Sequence, residues 1–132
     1  RLFYVTKAEA GGLDCYATTT RHNGAPTYLM YRFANDYFAE LEGVKAVALE
    51  LTYFDEGTGN INLQYNNTSN SVATVKVAQR ANTNTWKTAV VQLTNAKLSA
   101  NINGCDFRIS GVAANPEIYI SKIEAVATQQ YQ

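Results

Sequence analysis

The residues with the greatest capacity for chemistry are polar side chains in the segments that separate the predicted strands. If consecutive strands alternate in direction, four of these segments lie at one end of the domain: 20–26, 55–59, 81–84 and 111–116. The candidate ligand-binding residues at this end are Arg21, His22, Asn23, Tyr28, Asp55, Glu56 and Asn115. Their amide, carboxylate and guanidinium groups form directed hydrogen bonds with ligand hydroxyls, and Tyr28 adds an aromatic ring. We therefore predict a binding patch for a hydroxyl-rich ligand at this end.

Two other surfaces offer similar groups. The opposite end of the domain is the second choice, and its polar residues are Asp36, Tyr37, Asn66, Asn67 and Asn101. The third surface is a sheet face, because Asp106 and Arg108 lie two residues apart on one predicted strand. Glu50 and Gln64 are candidates for the same polar surface. The simpler interpretation of these four residues is an ordinary ion pair between strands, which contributes only about 0–1 kcal/mol when exposed.

Residues for catalysis are few. His22 is the single histidine, so it has no second His or paired Cys for a zinc site, and it lacks the partners of a Ser-His-Asp triad. Asp55 and Glu56 are adjacent in sequence and point apart, whereas glycoside hydrolysis needs two carboxyl groups about 5–9.5 Å apart. The only group that places a His or Tyr base beside an arginine, the minimum for such an enzyme, is Arg21, His22 and Tyr28. We expect a protein that is not an enzyme, and the alternative is a small secreted jelly-roll polysaccharide lyase or hydrolase.

Length and charge exclude several other classes. The 132 residues fit a single domain, 1–132, and eleven Lys+Arg balance eleven Asp+Glu. A chain without surplus positive charge is not expected to bind nucleic acid. No apolar run reaches the roughly 18–20 residues of a membrane-spanning helix, so we expect no membrane partner. Nine tyrosines and many asparagines and threonines are typical of secreted β-proteins, and we expect a secreted, extracellular monomer.

Apolar and polar residues alternate with a period of two along most of the chain, which is the pattern of half-buried strands. This alternation predicts nine strands at 2–7, 13–19, 27–33, 44–54, 60–65, 72–80, 85–93, 105–110 and 117–126. Segment 35–43 predicts one short helical turn. The fold class is all-β, an antiparallel β-sandwich or jelly roll, with an up-and-down barrel as competitor. The predicted core residues are Leu49, Leu51, Tyr53, Ile61, Leu63, Phe107 and Ile109.

The two cysteines are far apart in sequence, and their state is left open. A Cys15–Cys105 disulfide in a secreted protein would close a long loop and contribute about 4 kcal/mol in the chain-entropy model. The alternative is two buried thiols that act as small apolar side chains.

Several segments together resemble a known class of domain. The order and spacing of LTYFDEGTGNINLQY (51–65), NTWKTAVVQL (84–93), GCDFRI (104–109) and IYISKIEAV (118–126), with YRFANDYF (31–38) before them, carry the resemblance. The chain resembles the galactose-binding-like β-sandwich carbohydrate-binding modules of bacterial polysaccharide-degrading enzymes over roughly residues 28–126. It departs from the better-known modules in having one tryptophan, Trp86, at a strand position that usually packs inward.

The resemblance implies a non-catalytic module that targets an appended glycoside hydrolase or lyase to a polysaccharide, most often of plant cell-wall type. It implies binding through loops at one end or through a concave sheet face. It also implies a structural calcium, with Glu9 and Glu124 as ligands and Asp14 or Asp36 as alternatives. Calcium takes about 6–8 oxygens, so two carboxylates need further ligands. The remaining alternative is a structural or adhesion domain without a ligand.

Overall fold

Period-two alternation produces two antiparallel sheets that pack face to face, and this computed structural model describes residues 6–17, 28–32, 44–98, 102, 104–110 and 118–130. The described strands are β1 Thr6–Ala10, β2 Leu13–Ala17, β3 Tyr28–Tyr31, β4 Val44–Phe54, β5 Thr58–Asn66, β6 Val72–Ala81, β7 Trp86–Lys97, β8 Phe107–Ser110 and β9 Tyr119–Gln130. The five-stranded sheet has the order β1-β2-β9-β4-β7, and the four-stranded sheet has the order β3-β8-β5-β6. The predicted nine-stranded β-sandwich is confirmed, and the barrel is not formed.

The core lies between the two sheets. All seven predicted core residues are buried in one cluster, to which both sheets contribute. Leu49 and Leu51 enter it from β4, and Leu63 and Ile109 enter it from β5 and β8; all four are 0 % exposed. Side chains that alternate with these residues therefore point away from the core on the outer face of each sheet.

Strands β7 and β9 each extend four residues beyond their predicted ends. Strand β7 continues to Lys97, because the eleven-residue β4 pairs with it as far as Val44↔Lys97. The asparagine at position 95 favours a turn by local preference, but the long partner strand overrides that preference. Strand β9 likewise continues past its predicted end at residue 126 to Gln130, opposite Lys45. The helical turn expected at 35–43 lies outside the described residues. Within the described part of the chain, no helix has the length and apolarity to cross a membrane.

Within the described residues, the chain crosses between the sheets twice at one end of the sandwich. Strand β4 belongs to the five-stranded sheet and β5 to the four-stranded sheet, so residues 55–57 make the first crossing. Strands β5 and β6 form a hairpin, and residues 82–85 then return the chain to β7. The two crossings are therefore neighbours, as the alternation of strand directions predicts for segments 55–59 and 81–84.

A second apolar cluster lies on the outer face of the five-stranded sheet. Phe54 and Trp86 are opposite each other in the β4–β7 ladder, with ring centroids 5.4 Å apart. The β1–β2 hairpin covers this pair, placing buried Ala10 and Cys15 against Phe54. The Trp86 indole N–H donates to the Ala10 carbonyl oxygen at 3.0 Å. Trp86 thus fastens the hairpin to the outer face of the sheet.

The cysteines are not joined to each other. Cys15 lies in the hairpin cluster, whereas Cys105 lies in a tight turn in which it exchanges two backbone hydrogen bonds with Ile102. Burial raises the pKa of both thiols, with the neighbouring Asp14 and Asp106 adding to the effect. Of the two alternatives left open by the sequence, the structure has the separate thiols.

The turn of the β1–β2 hairpin depends on two glycines with left-handed backbone. Gly11 has φ +53° and Gly12 has φ +79°, values that L side chains rarely adopt. A Cβ on Gly11 would lie 2.6 Å from Cε1 of Phe54 and 2.9 Å from Nε1 of Trp86, whereas a Cβ on Gly12 would meet open space. The hairpin therefore reaches the aromatic pair only because position 11 has no side chain.

We predict that Gly11→Ala destabilises the domain more than Gly12→Ala. Both variants incur the cost of left-handed backbone, about 1–2 kcal/mol, but only the first also collides with the two aromatic rings. Overpacking of this kind costs a further ~1–3 kcal/mol, and urea unfolding of the two variants measures the difference. Equal losses in the two variants would show that the hairpin does not pack tightly on Phe54 and Trp86.

Candidate functional site

Asp55, a predicted ligand-binding residue, is the first residue of the first crossing. It follows β4 directly, and its side chain is 0 % exposed. Its Oδ1 accepts from the Ala81 amide at 2.7 Å, and its Oδ2 accepts from the Thr83 amide at 3.2 Å and hydroxyl at 2.7 Å. The Lys87 ammonium lies 3.0 Å from the same Oδ2. One carboxylate thus binds the end of β6, the second crossing and the start of β7.

These four donors fill the approximately four lone-pair sites that a carboxylate offers. Burial by itself would raise the pKa of Asp55, but the hydrogen bonds from Thr83 and Ala81, together with Lys87, outweigh it and hold the pKa well below its usual range. Asp55 is therefore an ionised buried group whose oxygens are engaged within the protein. The structure gives it a structural role, as a clamp that holds the crossings together.

Further contacts reinforce the clamp. Arg80 is buried, and its two Nη groups donate to the carbonyl oxygens of Glu56 and Thr58 at 3.0 and 2.9 Å. Asn82, which has φ +56°, accepts a hydrogen bond from the Gly57 amide at 2.7 Å. The polar residues of both crossings therefore hold the two loops in place.

Four other residues of the predicted patch, Arg21, His22, Asn23 and Asn115, lie outside the described residues. The strand ends that flank their segments do meet, because Tyr28, at the start of β3, pairs with Ser110, at the end of β8. Of the seven predicted residues, Tyr28 alone lies on an outer sheet face in the described structure. That face is a second candidate site.

That site is the outer surface of the four-stranded sheet, here called the polar face. The register aligns outward side chains of the four strands in two rows: Met30, Arg108, Gln64 and Thr74 in the first, and Tyr28, Asn62 and Lys76 in the second, where Ser110 is the backbone partner of Tyr28 and Asn62. Each row member alternates with residues that pack into or against the core. The polar face therefore brings together residues that are far apart in sequence.

Arg108 is held in place by its neighbours on the polar face. Its guanidinium carbon lies 4.0 Å from the centroid of the Tyr28 ring. Its Nε donates to Oε1 of Gln64 at 2.7 Å, and Nε2 of Gln64 donates to the Thr74 hydroxyl at 3.2 Å. A chain of contacts thus crosses all four strands. Among the described residues, none accepts a hydrogen bond from Nη1 or Nη2 of Arg108.

This arrangement suits recognition of a polar ligand. A fixed guanidinium presents its Nη donors in one plane. Because the aromatic ring beside it already restricts its rotamers, binding a ligand costs less side-chain conformational entropy. Amide side chains in the same two rows add donors and acceptors for hydroxyl groups. The sequence showed Arg108 on a strand face, but the register of four strands was needed to show its partners.

The residues predicted to share the other two surfaces do not come together in the described structure. Asp106 is buried, whereas Arg108 is half-buried. Glu50 lies on the five-stranded sheet opposite Glu124, and Gln64 lies on the four-stranded sheet, so the two do not share a surface. At the opposite end, Asp36, Tyr37 and Asn101 lie outside the described residues. Asn66 is buried, and the Asn67 side chain accepts from the Ser69 and Ser71 amides within its own turn.

Glu9 and Glu124, the calcium ligands that the resemblance implies, lie on different strands of the five-stranded sheet. Glu9 pairs with Asp14 across the β1–β2 hairpin, and Glu124 lies 3.0 Å from the Lys122 ammonium on β9. Among the described residues, no three His, Cys, Asp or Glu side chains group as a metal site. Asp36 lies outside them. Calcium binding therefore stays a prediction.

Comparisons with protein families, curated proteins and solved structures found no match to this chain.

We predict that Asp55→Asn lowers the free energy of unfolding by about 3 kcal/mol, because the amide nitrogen of the new side chain faces donors that had bonded to a charged oxygen, and each such bond contributes about 1.5–3 kcal/mol. The matched variant Lys87→Met removes a partly exposed ammonium and retains the hydrogen bonds to Ala81 and Thr83, so its loss should be near 1 kcal/mol. Urea unfolding at pH 7 compares the two.

The same clamp predicts the response to acid. A folded-state pKa below the unfolded value of about 3.9 stabilises the domain above that pH, and the stabilisation declines as the pH falls further. Unfolding free energy should thus decrease below about pH 4 in the wild type, and less steeply in Asp55→Asn. Parallel pH profiles for the two proteins would contradict an ionised clamp.

Proposed function

We propose that this domain is a non-catalytic carbohydrate-binding module, which holds an appended polysaccharide-degrading enzyme against its polysaccharide. The observation that supports the proposal best is the polar face, where Arg108 is fixed between Tyr28 and Gln64. A module of this kind acts by raising the local concentration of the enzyme at its substrate. The same proposal includes secretion of the protein, since its polysaccharide would lie outside the cell.

Recognition would use the two rows of the polar face. In the proposal, the Nη groups of Arg108 donate to ligand oxygens, and Asn62 offers both a donor and an acceptor to neighbouring hydroxyls. Tyr28 and Met30 supply apolar surface for the C–H face of a sugar ring. The site lies on regular strands, so it is formed before the ligand arrives and loses little conformational entropy on binding.

Binding without bond cleavage fits the residues of this face. Glycoside hydrolysis uses two carboxyl groups on either side of the bond. The described strands of the four-stranded sheet, β3, β5, β6 and β8, contain neither Asp nor Glu. The polar face therefore offers hydrogen bonds and stacking to a glycan and no carboxyl pair.

The predicted loop end is the rival location for the same function. There, Arg21, Asn23 and Asn115 would bind the ligand, and the clamp formed by Asp55 would hold their end of the sandwich in shape. Variants at both places distinguish the two locations.

We predict that Arg108→Ala weakens binding to a responsive polysaccharide at least tenfold, because a hydrogen bond to a charged group contributes about 1.5–3 kcal/mol. The matched control is Lys122→Ala, which removes a cation from the outer face of the other sheet and should leave binding unchanged. A panel of purified polysaccharides screened by affinity electrophoresis, followed by calorimetric titration, measures both. Unfolding midpoints verify that each variant is folded.

Three other results would count against the proposal. Binding lost in Arg21→Ala or Asn115→Ala, and retained in Arg108→Ala, would move the site to the loop end. No binding across the whole panel would favour a structural or adhesion domain. Release of reducing ends or unsaturated products by the purified domain would show that it is an enzyme.

A further inference from the structure

We propose that the polar face selects acidic glycans, in which carboxylate or sulfate groups recur along the chain. This inference rests on the proposed carbohydrate-binding function and names the class of sugar. It starts from the distribution of charge, which differs between the two sheets.

The four-stranded sheet is positively charged, although the chain as a whole is neutral. Eleven Lys+Arg balance eleven Asp+Glu over the 132 residues. The described strands β3, β5, β6 and β8 nevertheless hold Lys76, Arg80 and Arg108 and no acidic residue. Arg80 is buried beneath the first crossing, so the polar face presents Lys76 and Arg108. The outer face of the five-stranded sheet, by contrast, pairs the acidic Glu50 with Glu124 beside Lys122.

The two cations lie on either side of β5. Arg108 is opposite Gln64 on one flank, and Lys76 is opposite Asn62 on the other. Strand spacing of about 4.8 Å and a rise of about 3.4 Å per residue put their Cα atoms roughly 12 Å apart. That separation exceeds one sugar ring. The polar face therefore matches anionic groups on different units of an oligosaccharide better than a single charged monosaccharide.

A β-bulge places Lys76 on this face. The register shifts between Ile61↔Ala78 and Asn62↔Lys76, so that Val77 is the extra residue. Without the shift, Val77 would lie opposite Asn62 and present an apolar side chain to solvent. The bulge instead keeps Val77 against the core and turns the lysine outward. Bulges that redirect a side chain are common beside binding sites.

Arg108 has the geometry that an anion requires. The bond to Gln64 uses Nε, and the Tyr28 ring covers one side of the guanidinium. The two Nη groups remain as a planar pair of donors, which matches the two oxygens of a carboxylate or sulfate. A neutral hydroxyl offers the guanidinium one acceptor oxygen and no opposite charge, so the discrimination is electrostatic.

The test compares one polymer in charged and neutral form. Wild-type protein is titrated with a linear polyuronate oligosaccharide and with the same oligosaccharide after methyl esterification, in buffer containing a chelator. We expect the charged form to bind at least tenfold more tightly, and its affinity to fall as NaCl is raised from 50 to 500 mM. Lys76→Ala should weaken binding about three- to tenfold. Lys122→Ala, the exposed lysine on the other sheet, should have no effect.

The outcomes separate this inference from the proposed function. Equal affinity for the charged and esterified forms would overturn acidic selectivity and leave carbohydrate binding intact. Binding to neither form, nor to any neutral glycan of the panel, would overturn both. Tighter binding to single-stranded or duplex DNA than to the polyuronate would show that the two cations bind nucleic acid, and would overturn acidic-glycan selectivity. Equal losses in Lys76→Ala and Lys122→Ala would show that the attraction is not specific to the polar face.

Discussion

The buried carboxylate of Asp55 is the constraint on which the rest of the structure depends. A β-sandwich built from one chain must pass between its sheets, and here the two passages of residues 55–57 and 82–85 are held by one side chain. A charge removed from water is costly unless every lone pair finds a donor. Four donors from three residues meet that requirement, and they do so only when the two crossings sit side by side.

The position of the crossings sets the register of the polar face. Strand β5 begins at Thr58, three residues after Asp55, and the Arg80 guanidinium fixes that start through two carbonyl oxygens. Because side chains alternate, a slip of one residue along β5 would exchange Gln64 for Leu63 on the outer face. Arg108 would then lose its acceptor and face an apolar side chain. The clamp at the end of the sandwich thus indirectly orients the guanidinium in the middle of the sheet.

Much of the fold could be predicted from local pattern, and little of the site could. Alternation identified Leu49, Ile61 and Phe107 as core residues, because a strand with one buried face has apolar residues at every second position of its sequence. The partners of Asp55 lie 26 to 32 positions away in sequence, and their identity depends on which strands cross between sheets. Trp86 illustrates the same limit, since it packs beneath a hairpin whose residues lie 69 to 80 positions earlier.

Asp55 and Arg108 also show how structure separates two uses of a polar side chain. Both are charged residues that sequence patterns associate with ligands. The carboxylate is fully buried, and its acceptor sites are filled by donors of the protein itself, so its hydrogen bonds stabilise the fold. The guanidinium is half-buried and uses one donor for orientation, while its outward donors meet no described residue of the chain. A group that is held rigidly but left incompletely satisfied is ready to bind a ligand, because binding completes hydrogen bonds without first having to order the side chain. That distinction, rather than residue type or position in a loop, places the candidate site on the four-stranded sheet.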